Sequence, residues 1–113
     1  TGWAVLDIHT SGAHAGAEQS YAAGFLEGAL THGRIRQHLA NMWGVDFHDA
    51  SARAAPPAIH AFLGQNLAWM EQEVRAHPAD PYWQTLGSLL SQLRGLTDGY
   101  NAARGAQDHS IPQ

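Results

Sequence analysis

With 113 residues, of which 44% are hydrophobic and 14% charged, the chain has the size and composition of one soluble domain or a piece of one. Its net charge is −4, and its six basic residues are scattered arginines, which argues against a nucleic-acid binder. It contains no cysteine, which excludes disulfides, cysteine-ligated metals and a cysteine nucleophile within this chain.

The first residues alternate in hydrophobicity, which predicts a strand over residues 2–9, followed by a loop over residues 10–16. A single strand cannot satisfy its own backbone N–H and C=O groups, and no second strand is predicted. We therefore expect the strand to join a sheet made by another chain, or by another copy of this one. The predicted fold class is α+β: a mostly helical fragment with one N-terminal strand.

Apolar residues at helical spacing predict the first helix over about residues 17–30. Gly24 and Gly28 lie four apart on one face of this helix, and each glycine costs a helix interior roughly 1 kcal/mol relative to alanine. Two of them at this spacing indicate that another backbone packs closely there. The helix is therefore expected to be enclosed, by more neighbours than this chain alone supplies.

Residues 31–33, Thr-His-Gly, are predicted to interrupt the helical pattern. Three further helices are predicted over about residues 33–43, 57–76 and 81–100. Proline at the first helical position predicts the start of the third helix at Pro57, and Pro78 ends it. Asp80 is predicted to cap the fourth helix. Residues 44–57 are interpreted as a connector and 101–113 as a polar tail.

An ordered set of short blocks runs through residues 1–100. They are Thr1-Gly2-Trp3-Ala4, Gln19, Tyr21-Ala22-Ala23-Gly24, Glu27, His38, Asn41, Asn66-Leu67, Trp69-Met70, Pro81-Tyr82-Trp83, Leu90, Gln92-Leu93, Gly95-Leu96, Asp98 and Tyr100. No block is diagnostic alone, but the ordered set resembles phospholipase B-like proteins, a lysosomal branch of the N-terminal-nucleophile hydrolases.

The resemblance implies that residues 1–100 are the smaller N-terminal chain of a two-chain αββα sandwich cut from one precursor. The nucleophile would be an N-terminal cysteine on the larger chain. Lysosomal or secreted localisation, a lipid or amide substrate, and a higher homo-oligomer of the two-chain unit are further implications. Some relatives have a cysteine pair in the loop corresponding to residues 44–55, which this chain lacks.

Thr1 is the strongest catalytic candidate within the chain, because a threonine with a free amine supplies both the nucleophile and the base in one residue. The simpler interpretation is that Thr1 marks where processing, or the ordered part of the chain, begins. Ser88 and Ser91 lie in a leucine-rich helix without a Gly-x-Ser-x-Gly motif, which argues against a serine hydrolase.

Other polar candidates have structural alternatives. Glu27, on a helix expected to be enclosed, is interpreted as pairing with an arginine of the partner chain, as lying on a solvated stripe, or as catalytic. His38 and Asn41 share a face and either bond to a loop or support an active site. Trp69, Tyr82 and Trp83 either pack in a core or interface or line an acyl-chain groove.

The eight histidines do not show convincing metal-ligand spacing, since His32 and His38 are six apart and Asp46, His48 and Asp49 form only a loop cluster. We predict no catalytic, cofactor-binding or metal-binding residue in this chain. The predicted function is the non-catalytic smaller chain of a hydrolase that cleaves amide or ester bonds and releases fatty acids from lipids. The alternatives are a helical binding or adaptor module and a hydrolase that uses Thr1.

Overall fold

The structure, a computed structural model, describes residues 3–43 and 56–105. Thr1, the Asp46, His48 and Asp49 cluster, most of the predicted connector and most of the predicted tail lie outside these residues. Three α-helices are described: α1 (Gly16–Trp43), α2 (Pro57–Ala76) and α3 (Pro81–Ala103). The chain forms two compact units, Thr1–Arg36 with Ser88–Gln113, and Gln37–Gly87.

The N-terminal segment corrects the predicted fold class. Residues 3–10 have no regular secondary structure, and Trp3 and Val5 are almost fully exposed. Across residues 3–43 and 56–105 there are helices and no strand, so the predicted strand, the α+β class and the αββα sandwich are wrong for the described chain. Alternating hydrophobicity produces a strand only where a neighbour pairs with its backbone, and no described segment does so.

Helix α1 is continuous through residues 31–33, where the sequence predicted a break. The Thr31 hydroxyl donates to the Glu27 carbonyl at 2.6 Å. The His32 Nδ1–H donates to the Ala29 carbonyl at 2.9 Å. Because both polar side chains bond to the preceding turn, they are accommodated within the helix, and the two predicted helices 17–30 and 33–43 are one.

In the first unit, the N-terminal part of α1 packs in parallel against the C-terminal part of α3. Gly24 faces the backbone from Gln92 to Leu96, and Gly28 faces the backbone from Leu96 to Tyr100. The positions along the two helices rise together, so the two segments run in the same direction where they cross.

In the second unit, α2 begins and ends where proline signals predicted. The Pro56 carbonyl accepts the first helical N–H bonds, from Ile59 at 2.8 Å and His60 at 3.2 Å. Helix α3 then begins at Pro81, and the Tyr82 N–H donates to Asp80 Oδ1 at 2.9 Å. The predicted helix 57–76 and the Asp80 cap are therefore confirmed, while the predicted helix 81–100 extends to Ala103.

Burial of apolar side chains is sparse. Among the described residues, Tyr100 is the one large hydrophobic side chain that is buried, with 3% of its surface exposed. Helix α2 contains no buried residue, despite an apolar residue at almost every third or fourth position. No described helix is long and apolar enough to cross a bilayer.

Candidate interface and helix crossing

The crossing of α1 and α3 is built from two glycine pairs of the same spacing. A Cβ at Gly24 or Gly28 would overlap the carbonyl oxygen of Gln92 or Leu96. In return, a Cβ at Gly95 or Gly99 would overlap a carbonyl oxygen of α1, from Tyr21 and Phe25 respectively. The close backbone neighbour predicted for Gly24 and Gly28 is confirmed, but the neighbour lies within this chain.

Each glycine of this crossing places a Cα–H group against a backbone carbonyl oxygen of the other helix. In each glycine, the hydrogen that replaces a side chain points at the carbonyl oxygen that a Cβ would strike. Such Cα–H···O contacts recur where helices approach closely and contribute about 0.5–1 kcal/mol each. The sequence analysis did not predict the α3 side of this crossing. Its signal in the sequence is the second Gly-x-x-x-Gly spacing, at residues 95–99.

A hydrogen bond between two side chains lies beside the glycine crossing. The Tyr21 hydroxyl on α1 donates to Asp98 Oδ2 on α3 at 2.7 Å. The hydrogen bond to Asp98, followed by burial and by the negative charge of that carboxylate, raises the pKa of Tyr21 above its ordinary value of 10.0. This Tyr21–Asp98 hydrogen bond favours one register of α1 relative to α3, because sliding either helix along the other would break it.

Gln19 holds the N-terminal segment against the first turns of α1. The Thr10 hydroxyl donates to Gln19 Oε1 at 2.8 Å, and Gln19 Nε2 donates to the His14 carbonyl at 2.7 Å. Both ends of the amide are therefore used within this chain. The segment and the helix enclose a cleft of about 370 Å³, whose lining includes His9, Thr10, Ser11, His14, Glu18, Gln19, Ala22 and Leu26.

The side chains of this cleft do not form a nucleophile and base pair. The Ser11 hydroxyl accepts a hydrogen bond from the Ala13 N–H at 3.3 Å. The His9 ring lies 3.4 Å from Asp7, and the His14 ring 3.7 Å from Glu18. In the part of the chain that the structure describes, no serine or threonine hydroxyl bonds to a histidine ring. The cleft therefore lacks the arrangement that activates a hydroxyl nucleophile.

The three predicted aromatic residues come together in the second unit. Trp83 lies edge-to-face with Trp69 at 5.8 Å and with Tyr82 at 5.0 Å between ring centroids. The His77 ring stacks on Trp83 at 5.9 Å, and its Nδ1–H donates to the Glu73 carbonyl at 3.1 Å. Each aromatic pair contributes about 0.5–1.5 kcal/mol beyond its buried area. Trp69 and Tyr82 nevertheless keep more than half of their surface exposed.

The remaining sequence candidates are not brought together into a catalytic arrangement. Glu27 is half-buried, and no ion pair within residues 3–43 and 56–105 involves it. His38 and Asn41 are exposed on α1, and Ser88 and Ser91 are half-buried on α3. The described residues hold no group of three or more His, Asp or Glu side chains suited to a metal ion.

The candidate functional surface is therefore the exposed apolar surface of the helices. Large hydrophobic side chains that remain exposed include Leu26, Leu30, Met42, Ile59, Phe62, Leu63, Leu67, Trp69, Tyr82, Leu89 and Leu93. Monomeric soluble proteins rarely expose large contiguous apolar patches, and such patches mark interaction sites. These exposed side chains lie on both units and carry no carboxylate, amine, imidazole or thiol group.

Comparison with known proteins identifies the family. The Phospholipase B family model matches residues 1–113, the whole chain. The chain belongs to the phospholipase B family. Similar relatives include "Phospholipase B-like protein B" of Dictyostelium discoideum, 37% identical over 90% of this chain, and "Putative phospholipase B-like 1" of Caenorhabditis elegans, 39% identical over 95%. "Putative phospholipase B-like 2" of Homo sapiens is 36% identical over 88%.

This phospholipase B family chain spans 17% to 19% of the length of those three relatives. Several residues that carry the family resemblance contact one another within the chain. Tyr21 bonds to Asp98, and Trp69 packs on Trp83. Their contacts explain why these residue types are needed here without assigning any of them a chemical step.

Proposed function

We propose that this chain is the smaller, non-catalytic chain of a two-chain phospholipase B-like hydrolase. The observation that carries the proposal is the burial pattern: Tyr100 is the one buried large hydrophobic side chain in the described part of a chain that is 44% hydrophobic. A chain of this size ordinarily buries well over half of its unfolded surface. The named relatives in this family are several times longer than this chain. In a protein of that length, the remaining residues would cover the exposed apolar side chains.

The larger chain would carry the reaction through an N-terminal cysteine. Its thiolate would attack the carbonyl of an amide or ester, its own amine would act as base, and backbone donors would hold the oxyanion. The family resemblance supports this chemistry, and the absence of cysteine from the present chain agrees with a nucleophile elsewhere. The substrate class follows from the same resemblance: lipids from which fatty acids are released.

The contribution of this chain would be structural support. Its glycine crossing and its aromatic cluster at Trp83 give it rigid helices, while its apolar faces close on the larger chain. An arginine of the larger chain would pair with Glu27, which is half-buried. Lysosomal or secreted localisation, and assembly of the two-chain unit into a homo-oligomer, remain predictions from the resemblance.

The test is to express the full-length protein, separate its chains and determine the first residue of the larger one. We expect a larger chain that co-purifies, begins with cysteine and loses hydrolysis by several orders of magnitude when that cysteine is replaced by alanine. Hydrolysis that survives this substitution would contradict the proposal. A stable assembly without hydrolysis of any lipid or amide would favour the adaptor alternative.

A further inference from the structure

The first two-thirds of α2 is exposed and uncharged. Every residue from 56 to 69 is exposed. From Pro57 to Met70, however, the helix contains no Asp, Glu, Lys or Arg. A solvated helix normally has charged residues on its outer face, and here they begin only at Glu71.

One face of this segment is a largely apolar stripe, in which Asn66 is the one polar residue. Ile59, Phe62, Leu63 and Leu67 repeat at helical spacing, and 47%, 66%, 55% and 40% of their surfaces are exposed. The same stripe continues into Met70 and Val74, which are half-buried. Val74 lies against Gly87, where its methyl group would be 2.9 Å from a Cβ. The stripe is therefore covered at its C-terminal end and uncovered at its N-terminal end.

The opposite face of the segment is also suited to enclosure. It is made of the small residues Ala61, Gly64 and Ala68, together with His60 and Gln65. A Cβ at Gly64 would meet no atom of the described residues within 4 Å, so none of residues 3–43 and 56–105 occupies the space beside it. Neither face carries the Lys and Arg residues with which interfacial helices bind anionic lipid surfaces.

We propose that the N-terminal stripe of α2, formed by Ile59, Phe62, Leu63 and Leu67, is the docking surface for the larger remainder of the same protein. The inference rests on that part of the proposed function in which this chain lies within a larger protein. The occupant is argued from two facts: relatives extend over about five times the length of this chain, and the absence of basic residues disfavours a membrane.

The test uses cysteine labelling in the full-length protein. Because this chain has no cysteine, a single Phe62→Cys substitution gives one labelling site on it, read by mass spectrometry of its own peptides. Gln72→Cys is the matched control, since Gln72 is exposed on the charged end of the same helix. Leu63→Cys is a second stripe variant in case Phe62→Cys does not assemble.

We expect the maleimide to react at position 62 roughly 100-fold more slowly in the native protein than in urea, because reaction requires local opening of the interface. At position 72 the native and urea rates should be similar. Equal native rates at positions 62 and 72, fast or slow, would overturn the docking surface. Protection at position 62 only after adding vesicles of phosphatidylcholine and phosphatidylglycerol would also overturn it, in favour of a lipid surface.

Chain cleavage and hydrolysis are measured on the same preparation. If the protein is uncut or inactive while position 62 is protected, the proposed function fails and the docking surface stands. If it is cut and active while position 62 reacts as fast as position 72, the docking surface alone fails.

Discussion

The individual residues with the clearest contacts among the described residues join one helix to another. Tyr21 is the clearest example, because its hydroxyl bonds across the first unit to Asp98 at 2.7 Å. The ring of Tyr21 also lies beside Phe25 on its own helix, at 6.4 Å between centroids. Tyr21 therefore contributes both to packing within α1 and to the alignment of α1 with α3.

We predict that Tyr21→Phe lowers the stability of the assembled protein at neutral pH and flattens its loss of stability in alkali. The folded-state pKa of Tyr21 is raised above the unfolded value of 10.0. The contribution of the neutral phenol is therefore fully present below pH 10 and is lost as pH rises through the folded pKa. Urea midpoints measured at neutral pH and above pH 10 test this. Tyr82→Phe is the control, and an equal effect of the two variants would contradict the prediction.

At Thr1 the prediction concerns catalysis. We expect Thr1→Ala to leave hydrolysis by the assembled protein nearly unchanged, provided that the cut between the chains is preserved, because the proposed nucleophile lies on the larger chain. Removal of a true nucleophile lowers kcat by several orders of magnitude. A loss of that size, in a protein that still assembles, would transfer the chemistry to this chain.

At the scale of elements, the glycine crossing sets how closely α1 and α3 approach. We predict that Gly24→Ala destabilises the assembled protein by about 1–3 kcal/mol, because the new methyl group meets backbone atoms of Gln92 that cannot rotate away. Leucine at this position should cost more. Gly33→Ala is the matched control on the same helix: no atom lies within 4 Å of its Cβ position, so alanine should stabilise the helix by about 1 kcal/mol.

The sign of the change in melting temperature distinguishes overpacking at position 24 from the gain in helix propensity at position 33. The melting temperature should fall for Gly24→Ala and rise for Gly33→Ala. A rise for both would mean that α1 and α3 separate without cost at the crossing.

The start of α3 depends on Asp80. We predict that Asp80→Ala lowers stability by about 1 kcal/mol, because the Tyr82 N–H loses the side-chain acceptor that now lies at 2.9 Å. Asp80→Asn should cost much less, since its amide oxygen accepts the same bond. Denaturant unfolding of both variants measures the difference, and equal losses would show that the cap is not the cause.

These elements also show what the sequence alone could predict. The bounds of α2 follow from Pro57 and Pro78, because proline acts locally through its missing N–H and its ring. The break predicted at residues 31–33 was wrong because Thr31 and His32 bond back to the preceding turn of the helix. The close backbone contact at Gly24 was predictable from spacing, but its partner required tertiary structure.

The strand predicted over residues 2–9 failed for a different reason. Alternating hydrophobicity reports which side chains seek burial, but a strand also requires a neighbour for its backbone. Among the candidate site residues, the sequence suggested the aromatic trio, which the structure brings together around Trp83. It did not indicate the role of Asp98, which lies 77 positions from Tyr21 along the chain.

At the scale of the whole molecule, the glycine crossing and the Trp83 cluster each stabilise one unit, but neither buries much apolar surface. Burial contributes roughly 25 cal/mol per Å² of apolar surface. Tyr100 is the one buried large hydrophobic residue in the described chain, and many others keep 40% or more of their surface exposed, so this term is smaller than in a chain with a closed core. The backbone entropy of ordering each residue still costs about 1–2 kcal/mol, so under the two-chain proposal the stability of this chain depends on cover from the larger chain.

We therefore predict that this chain does not remain a stable monomer when expressed alone. Without the larger chain, side chains such as Phe62 and Leu93, both at least 60% exposed, would face water. The expected result is self-association or a loosely packed helical state, seen as broad light-scattering peaks and a non-cooperative thermal melt with helical circular dichroism retained. Co-expression with the larger chain should restore a single species and a cooperative melt. A monodisperse, cooperatively melting monomer would contradict both the interface and the two-chain proposal, because a chain that is stable alone needs no partner to cover its helices.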